Sequence, residues 1–130
     1  VDRDRRQEVK ATIEQIRKRL DAGSSVVLFP EGRATDGREI VPFRTPYFEA
    51  AILSRRPVLP VLIRYHDGHI PSIACWNNVN FGRHILALLK NPRLDVTVSI
   101  LPAVTGPDRR YLAGESFRLL KEEFQKSGIL

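Results

Sequence analysis

Short runs of apolar, often β-branched residues alternate along this chain with longer stretches whose apolar residues return every three or four positions. That alternation constrains the fold most, because a continuous or period-two run suits a strand and a period near 3.6 suits a helix. Val9, Ile13, Ile16 and Leu20 mark one face of a helix over about 5–21. Arg5, Arg6, Lys10, Arg17, Lys18 and Arg19 surround that face, and Gly23 is its stop. Ser25-Val26-Val27-Leu28-Phe29, closed by Pro30, reads as a strand buried on both faces. A loop runs from Glu31 to Arg44. Thr45-Pro46 then reads as an N-cap with proline in the first helical position, opening a helix from Tyr47 to about Leu53. Val58 to Tyr65 reads as a second buried strand, in which Pro60 marks a strand end, an edge or a bulge.

The second half continues the pattern. His66-Asp67-Gly68-His69 is a turn, Ile73 to Trp76 a short strand, and Phe81 to Lys90 a helix with Ile85, Leu88 and Leu89 inward. Leu94 to Ile100 alternates with period two, as a half-exposed strand does. Asp108 to about Lys126 is a closing helix ended by Gly128, with Leu119, Leu120 and Phe124 in the core. The expected fold class is therefore α/β, a mixed, mostly parallel sheet with helices packed on it, in a single domain over residues 1–130. The terminal helices find few sheet partners within the chain, which contains no methionine and starts at Val1 in a charged stretch. Both features predict a fragment of a longer protein, with part of the sheet upstream.

Composition narrows the function classes. Lone Cys75 excludes an internal disulfide framework. No apolar run approaches the roughly 20 residues that span a bilayer. The formal charge is +6, and 16 of the 21 basic residues are Arg, whose planar fork grips phosphate at two points. An anionic partner fits this balance, and so does a solvated basic surface without a ligand. His66 and His69 with Cys75 match no structural zinc spacing, and a turn flanked by histidines explains them better. Neither a nucleotide-binding glycine loop nor a nucleophile elbow is present.

The chemistry concentrates at the end of the first apolar run. Pro30 fixes the backbone where the strand leaves the sheet, and Gly32 permits a positive φ or the close approach of a ligand. Glu31 can hold an arginine or accept a hydrogen bond from a hydroxyl, and Arg33 can pair with a phosphate. An ordinary polar turn accounts for the same residues on physics alone.

A resemblance shifts that balance. Phe29-Pro30-Glu31-Gly32, then Thr35-Asp36-Gly37 and Val41-Pro42-Phe43-Arg44, resembles the third motif of the glycerolipid acyltransferases, the family of 1-acyl-glycerol-3-phosphate acyltransferase. Val1-Asp2-Arg3 resembles the end of the second motif, and Arg56-Pro57-Val58-Leu59-Pro60-Val61 the fourth. Residues 76–98 are similar to the family's C-terminal part. The third motif departs from the family in its order Arg33-Ala34-Thr35. The first motif, His and Asp with four residues between, has no match: Pro71, Ala74 and Leu89 stand five residues after the three histidines.

The resemblance implies transfer of a fatty acyl group from a thioester to the hydroxyl of a lysophospholipid such as 1-acylglycerol 3-phosphate. It implies no cofactor, with an acyl-CoA or acyl carrier protein thioester as co-substrate. The general base, a histidine oriented by an aspartate, would lie upstream, so this C-terminal part of an acyltransferase domain is expected to be inactive alone. Arg3, Glu31, Gly32, Arg33 and Thr35 would bind the acceptor, and Pro60 would lie toward the acyl side; no residue of the chain is assigned as catalytic and none as a metal ligand. The implied location is the cytoplasmic face of a membrane, held peripherally or by the absent N-terminal part. Two alternatives stay open. One is a non-catalytic anion-binding α/β domain for phospholipid headgroups or nucleic acid, although few aromatics interleave with the basic residues as single-strand binding requires. The other keeps the family fold with an amino-acid-containing lysolipid as acceptor.

Overall fold

A computed structural model describes residues 3–69, 72–76 and 79–127. Helix α1 spans Arg3–Asp21. Its C-terminus is capped by backbone alone: Gly23, at φ 88°, donates to Leu20 O (3.0 Å) and Ser24 donates to Arg19 O (3.0 Å). This crossed pair of bonds satisfies the last-turn carbonyls, and the positive φ explains why glycine stands there. A 3₁₀ turn at Pro46–Phe48 leads into α2, Glu49–Leu53. Pro46 takes the first helical position as expected, but the Thr45 side chain makes no capping bond. The apolar face of α1 packs against this 46–53 helical unit.

Strands β1 (Val61–His66) and β2 (Asp95–Ile100) pair antiparallel, Val61 opposite Ile100 and His66 opposite Asp95. The ladder is extended by a bridge between Val58 and Val104 and by Leu101 N–H donating to Pro60 O (3.0 Å). Pro60 thus sits at the strand entrance, where its missing N–H costs no ladder bond. Between the strands lies α3, Phe81–Leu89, started by Asn80, whose side chain accepts from Gly82 N–H (2.9 Å). Helix α4, Arg109–Ser127, closes the fold. Asp108 Oδ1 accepts from Arg110 N–H (2.8 Å) and Tyr111 N–H (2.9 Å) at its start.

Phe48, Val104, Leu112 and Ala113 form the core, with Phe43, Ile52, Val58 and Leu119 around them. Leu120 is buried and Phe124 half-buried, where its ring receives the Arg64 guanidinium at 4.6 Å. One face of the two-stranded sheet therefore meets α4 through Leu62 and Arg64.

Further expectations are corrected. Val58–Tyr65, expected as a buried strand, is in the ladder as β1 only from Val61, and Leu59, Val61, Ile63 and Tyr65 are exposed. The sheet among the described residues is antiparallel and two-stranded, not mostly parallel. Ser25–Phe29 is extended but joins no ladder, and Val27 and Phe29 are 81% and 76% exposed rather than buried. An apolar run becomes a strand only beside a partner, and β1 and β2 pair with each other instead. Residues 73–76 form a turn and coil, not a strand, because Asp67 draws this segment in: its carboxylate accepts from Ser72 Oγ and Ile73 N–H, both at 2.7 Å. Finally, Leu89 of α3 is exposed and Ile85 is only partly covered, while Leu88 alone of the three is half-buried. The expected stop at Gly128 and the motif residues Val1 and Asp2 lie outside the described residues.

Candidate functional site

The segment 29–44 folds back on itself, so that the two ends of the third motif meet. Arg44 N–H donates to Pro30 O (2.8 Å), Gly32 N–H donates to Phe29 O (3.3 Å), and Glu31 Oε2 accepts from Val41 N–H at 3.4 Å. The carboxylate of Glu31 thus braces the loop from within. Gly32 adopts φ 67°, and its face is covered by Arg44: a Cβ built there would lie 2.5 Å from Arg44 Nε. Both reasons for glycine, the left-handed backbone and the close neighbour, apply at this one position. Phe43 fixes the returning arm of the loop, its ring stacked on Phe48 (centroids 6.4 Å) and edge-on to Phe117 (5.5 Å). With Phe43 held in the core, Arg44 is forced outward.

The tip of the loop is a polar turn. Thr35 Oγ1 accepts from Gly37 N–H (3.3 Å), and Asp36 accepts from Arg38 N–H (3.2 Å) and pairs with its guanidinium (3.5 Å). Gly37 packs close to Cys75: a Cβ there would come within 2.9 Å of Sγ. Partial burial, together with the Asp36 and Asp67 carboxylates, pushes the Cys75 thiol above its ordinary value. Asp67 itself is driven up by burial. Its hydrogen bonds from Ser72, His69 N–H and Ile73 N–H outweigh that effect and hold the carboxyl below the usual range.

Beside the folded loop lies a groove of about 620 Å³ between α1 and residues 43–47, lined by Arg5, Glu8, Val9, Thr12, Arg44 and Tyr47 among others. Two guanidiniums, a phenol and one carboxylate therefore line an open space within the size range of small-molecule sites. Arg44 has no carboxylate within ion-pair distance among the described residues. Of the expected site residues, Glu31 and Gly32 are brought together with Arg44. Arg33 projects exposed beside Gly32, and Thr35 is spent on the turn at the tip. Arg3 is the first residue of α1, and its side chain lies outside the described set. Pro60 is buried at the entrance of β1 and is not part of the groove wall.

Comparison with known proteins supports the motif reading. The Acyltransferase family matches residues 1–64. The lyso-ornithine lipid O-acyltransferase of Rhizobium meliloti (strain 1021) is 30% identical over 141 aligned residues, which cover 97% of this chain and 48% of that protein. Its counterpart in Brucella abortus (strain 2308) is 32% identical, covering 75% of this chain and 42% of that protein. The 1-acyl-sn-glycerol-3-phosphate acyltransferase of Haemophilus influenzae is 36% identical over 79 residues, 60% of this chain and 32% of that protein. The chain belongs to the glycerolipid acyltransferase family. It spans about half the length, or less, of these relatives, and no solved structure matches it.

Within that family assignment, two groove residues were missed from sequence. Arg44 is visible as the last residue of Val41-Pro42-Phe43-Arg44, and the signal for its outward place is the aromatic beside it: a half-buried anchor at 43 turns 44 out. Arg5 carried no signal, because its place on the groove depends on how α1 crosses the loop.

Proposed function

We propose that this glycerolipid acyltransferase chain forms the acceptor side of an O-acyltransferase, holding the anionic headgroup of a lysolipid while an acyl group is moved onto its hydroxyl. The acceptor oxygen bonds to the thioester carbonyl carbon, the carbon–sulfur bond breaks, and the hydroxyl proton ends on the released thiol. No histidine here is followed five residues later by an acid, so in this reading the general base comes from outside these residues. The donor is an acyl-CoA or acyl carrier protein thioester, and the site faces the cytoplasmic surface of a membrane.

The observation that carries the proposal is the folded third motif, in which Glu31 braces the loop and Arg44 lies across Gly32 at the edge of the groove. Arg33 and Arg44 are the guanidiniums proposed to meet the headgroup. Charge-assisted hydrogen bonds are worth about 1.5–3 kcal/mol, so Arg33→Ala or Arg44→Ala in the full-length enzyme should raise the acceptor KM roughly tenfold or more, with the donor KM little changed. Equal rises in both constants would remove the headgroup role.

A second acceptor reading is a lyso-ornithine lipid, since two relatives are named for it and others for 1-acyl-sn-glycerol-3-phosphate. Offering lysophosphatidic acid and lyso-ornithine lipid in competition, with one labelled thioester, decides between them. Turnover by residues 1–130 alone would refute the external base.

A further inference from the structure

The second unusual surface is α3 with the aromatic corner before it, and it stands apart from the groove. Nine residues, Phe81–Leu89, form a helix that is apolar but for Gly82, Arg83 and His84, yet Phe81, Leu86 and Leu89 are 60%, 59% and 76% exposed. At 100° per residue, the half-buried His84 and Leu88 lie on the side toward the protein. Leu86 and Leu89 lie on the outward side, with Arg83 and Lys90 flanking them. Before the helix, Trp76 packs edge-on against Phe81 (centroids 5.5 Å), and its indole N–H donates to Val79 O (3.0 Å). The indole's polar atom is thereby satisfied, leaving the ring free to enter an apolar phase.

Charge selects the occupant. From Gly68 to Leu94 there is no Asp or Glu, and Asp95 beyond them is engaged by Arg93 at 2.7 Å. Arg83 and Lys90 have no carboxylate partner among the described residues. An exposed apolar helix with cations on its flank, an aromatic pair at its start and no acid among residues 68–94 is complementary to an anionic lipid interface, the Asp36 and Asp67 carboxylates lying on the Cys75 side of the corner.

We infer that α3 lies in the headgroup region of an anionic membrane, Leu86, Leu89 and the Trp76–Phe81 corner entering the acyl boundary while Arg83 and Lys90 meet lipid phosphates. This deepens the membrane location in the proposed function and rests on it for the partner, but it is independent of acyl transfer. An active enzyme that fails the test below, or an inactive one that passes it, separates the two readings.

Trp76 is the single tryptophan, so its emission reports this corner directly. The chain is titrated with vesicles of phosphatidylglycerol and phosphatidylcholine, and with phosphatidylcholine alone. The expected result is a blue shift that is stronger with the anionic lipid, with quenching by lipids brominated in their acyl chains. Leu86→Glu with Leu89→Glu should weaken partitioning roughly a hundredfold, from the lost burial of two leucines, with an unchanged circular dichroism spectrum. Arg83→Gln and Lys90→Gln should each cost about fivefold on anionic vesicles, from about 1 kcal/mol per charge. Lys10→Gln and Lys18→Gln on α1 should leave the Trp76 response intact. Vesicle binding without quenching, or equal binding by the double glutamate variant, would overturn the inference. So would a dimer in sedimentation that the glutamates dissolve while Trp76 ignores lipid, because a second copy would then own this face. A shift of Trp76 with an acidic protein but not with vesicles would assign the surface to a protein partner and likewise overturn it.

Discussion

Gly32 and Gly23 both sit at positive φ, 67° and 88°, but only one of them has a neighbour. A Cβ at Gly23 meets nothing within 4 Å, while at Gly32 it meets the guanidinium of Arg44. Forcing an L-residue into the left-handed region costs about 1–2 kcal/mol, so both glycine-to-alanine variants should lose about that much in denaturant titration. Gly32→Ala should also displace Arg44 and raise the acceptor KM of the full-length enzyme; Gly23→Ala should not. Asp67 gives a pH prediction. Its carboxyl is held below the usual range in the folded chain, so its stabilising bonds are complete above the unfolded value near pH 4 and are lost as pH falls through the lower folded value. Asp67→Asn should remove part of the acid-side slope in a series of urea midpoints. An unchanged slope would show that the bonds to Ser72 and Ile73 contribute nothing.

At the scale of elements, each helix lies within about two residues of its expected bounds, α1 because its 3.6-residue pattern runs over several turns and the 46–53 unit because proline marks its first position. The strands were harder. Val58–Tyr65 and Leu94–Ile100 were legible as extended, yet nothing in either run says which other run it will pair with. The antiparallel register, Val61 opposite Ile100 through His66 opposite Asp95, is a tertiary outcome. For the same reason Ser25–Phe29 carries a strand's pattern without forming one, since a buried strand and an unpaired extended run share one sequence pattern. Helix α4 holds a detail no pattern shows. Ser116 is among the most buried residues, and its hydroxyl has no partner among the described residues. An unsatisfied buried polar group costs about 1–3 kcal/mol, and alanine is the better helix former. Ser116→Ala should therefore raise stability by about 1 kcal/mol, visible as a higher urea midpoint with the same m-value. A lower midpoint would show that the hydroxyl is satisfied in solution.

Over the whole molecule, the candidate site was more legible than the sheet, because a motif fixes chemistry locally while a sheet depends on distant runs. Glu31 and Gly32 could be named from four residues, whereas the direction of β1's apolar face could not. Val61, Ile63 and Tyr65 pair across the ladder with Ile100, Val98 and Val96, and all six lie on one face. Each is at least two-fifths exposed, because α4 takes the opposite face through Leu62 and Arg64. The strict alternation of residues 94–100 thus put its apolar side outward, the reverse of what half-burial ordinarily gives. Such a contiguous apolar surface is larger than scattered exposed side chains and should bind a hydrophobic dye in the native state. Ile63→Thr with Val98→Thr keeps β-branched residues in a directly opposed pair while removing apolar area from the centre of the face. The expected outcome is a clear fall in native-state dye fluorescence, with stability changed by only about 0.5 kcal/mol per site, as for surface substitutions elsewhere. A loss of several kcal/mol would mean that this face is covered in solution, and that the pair belongs to a core.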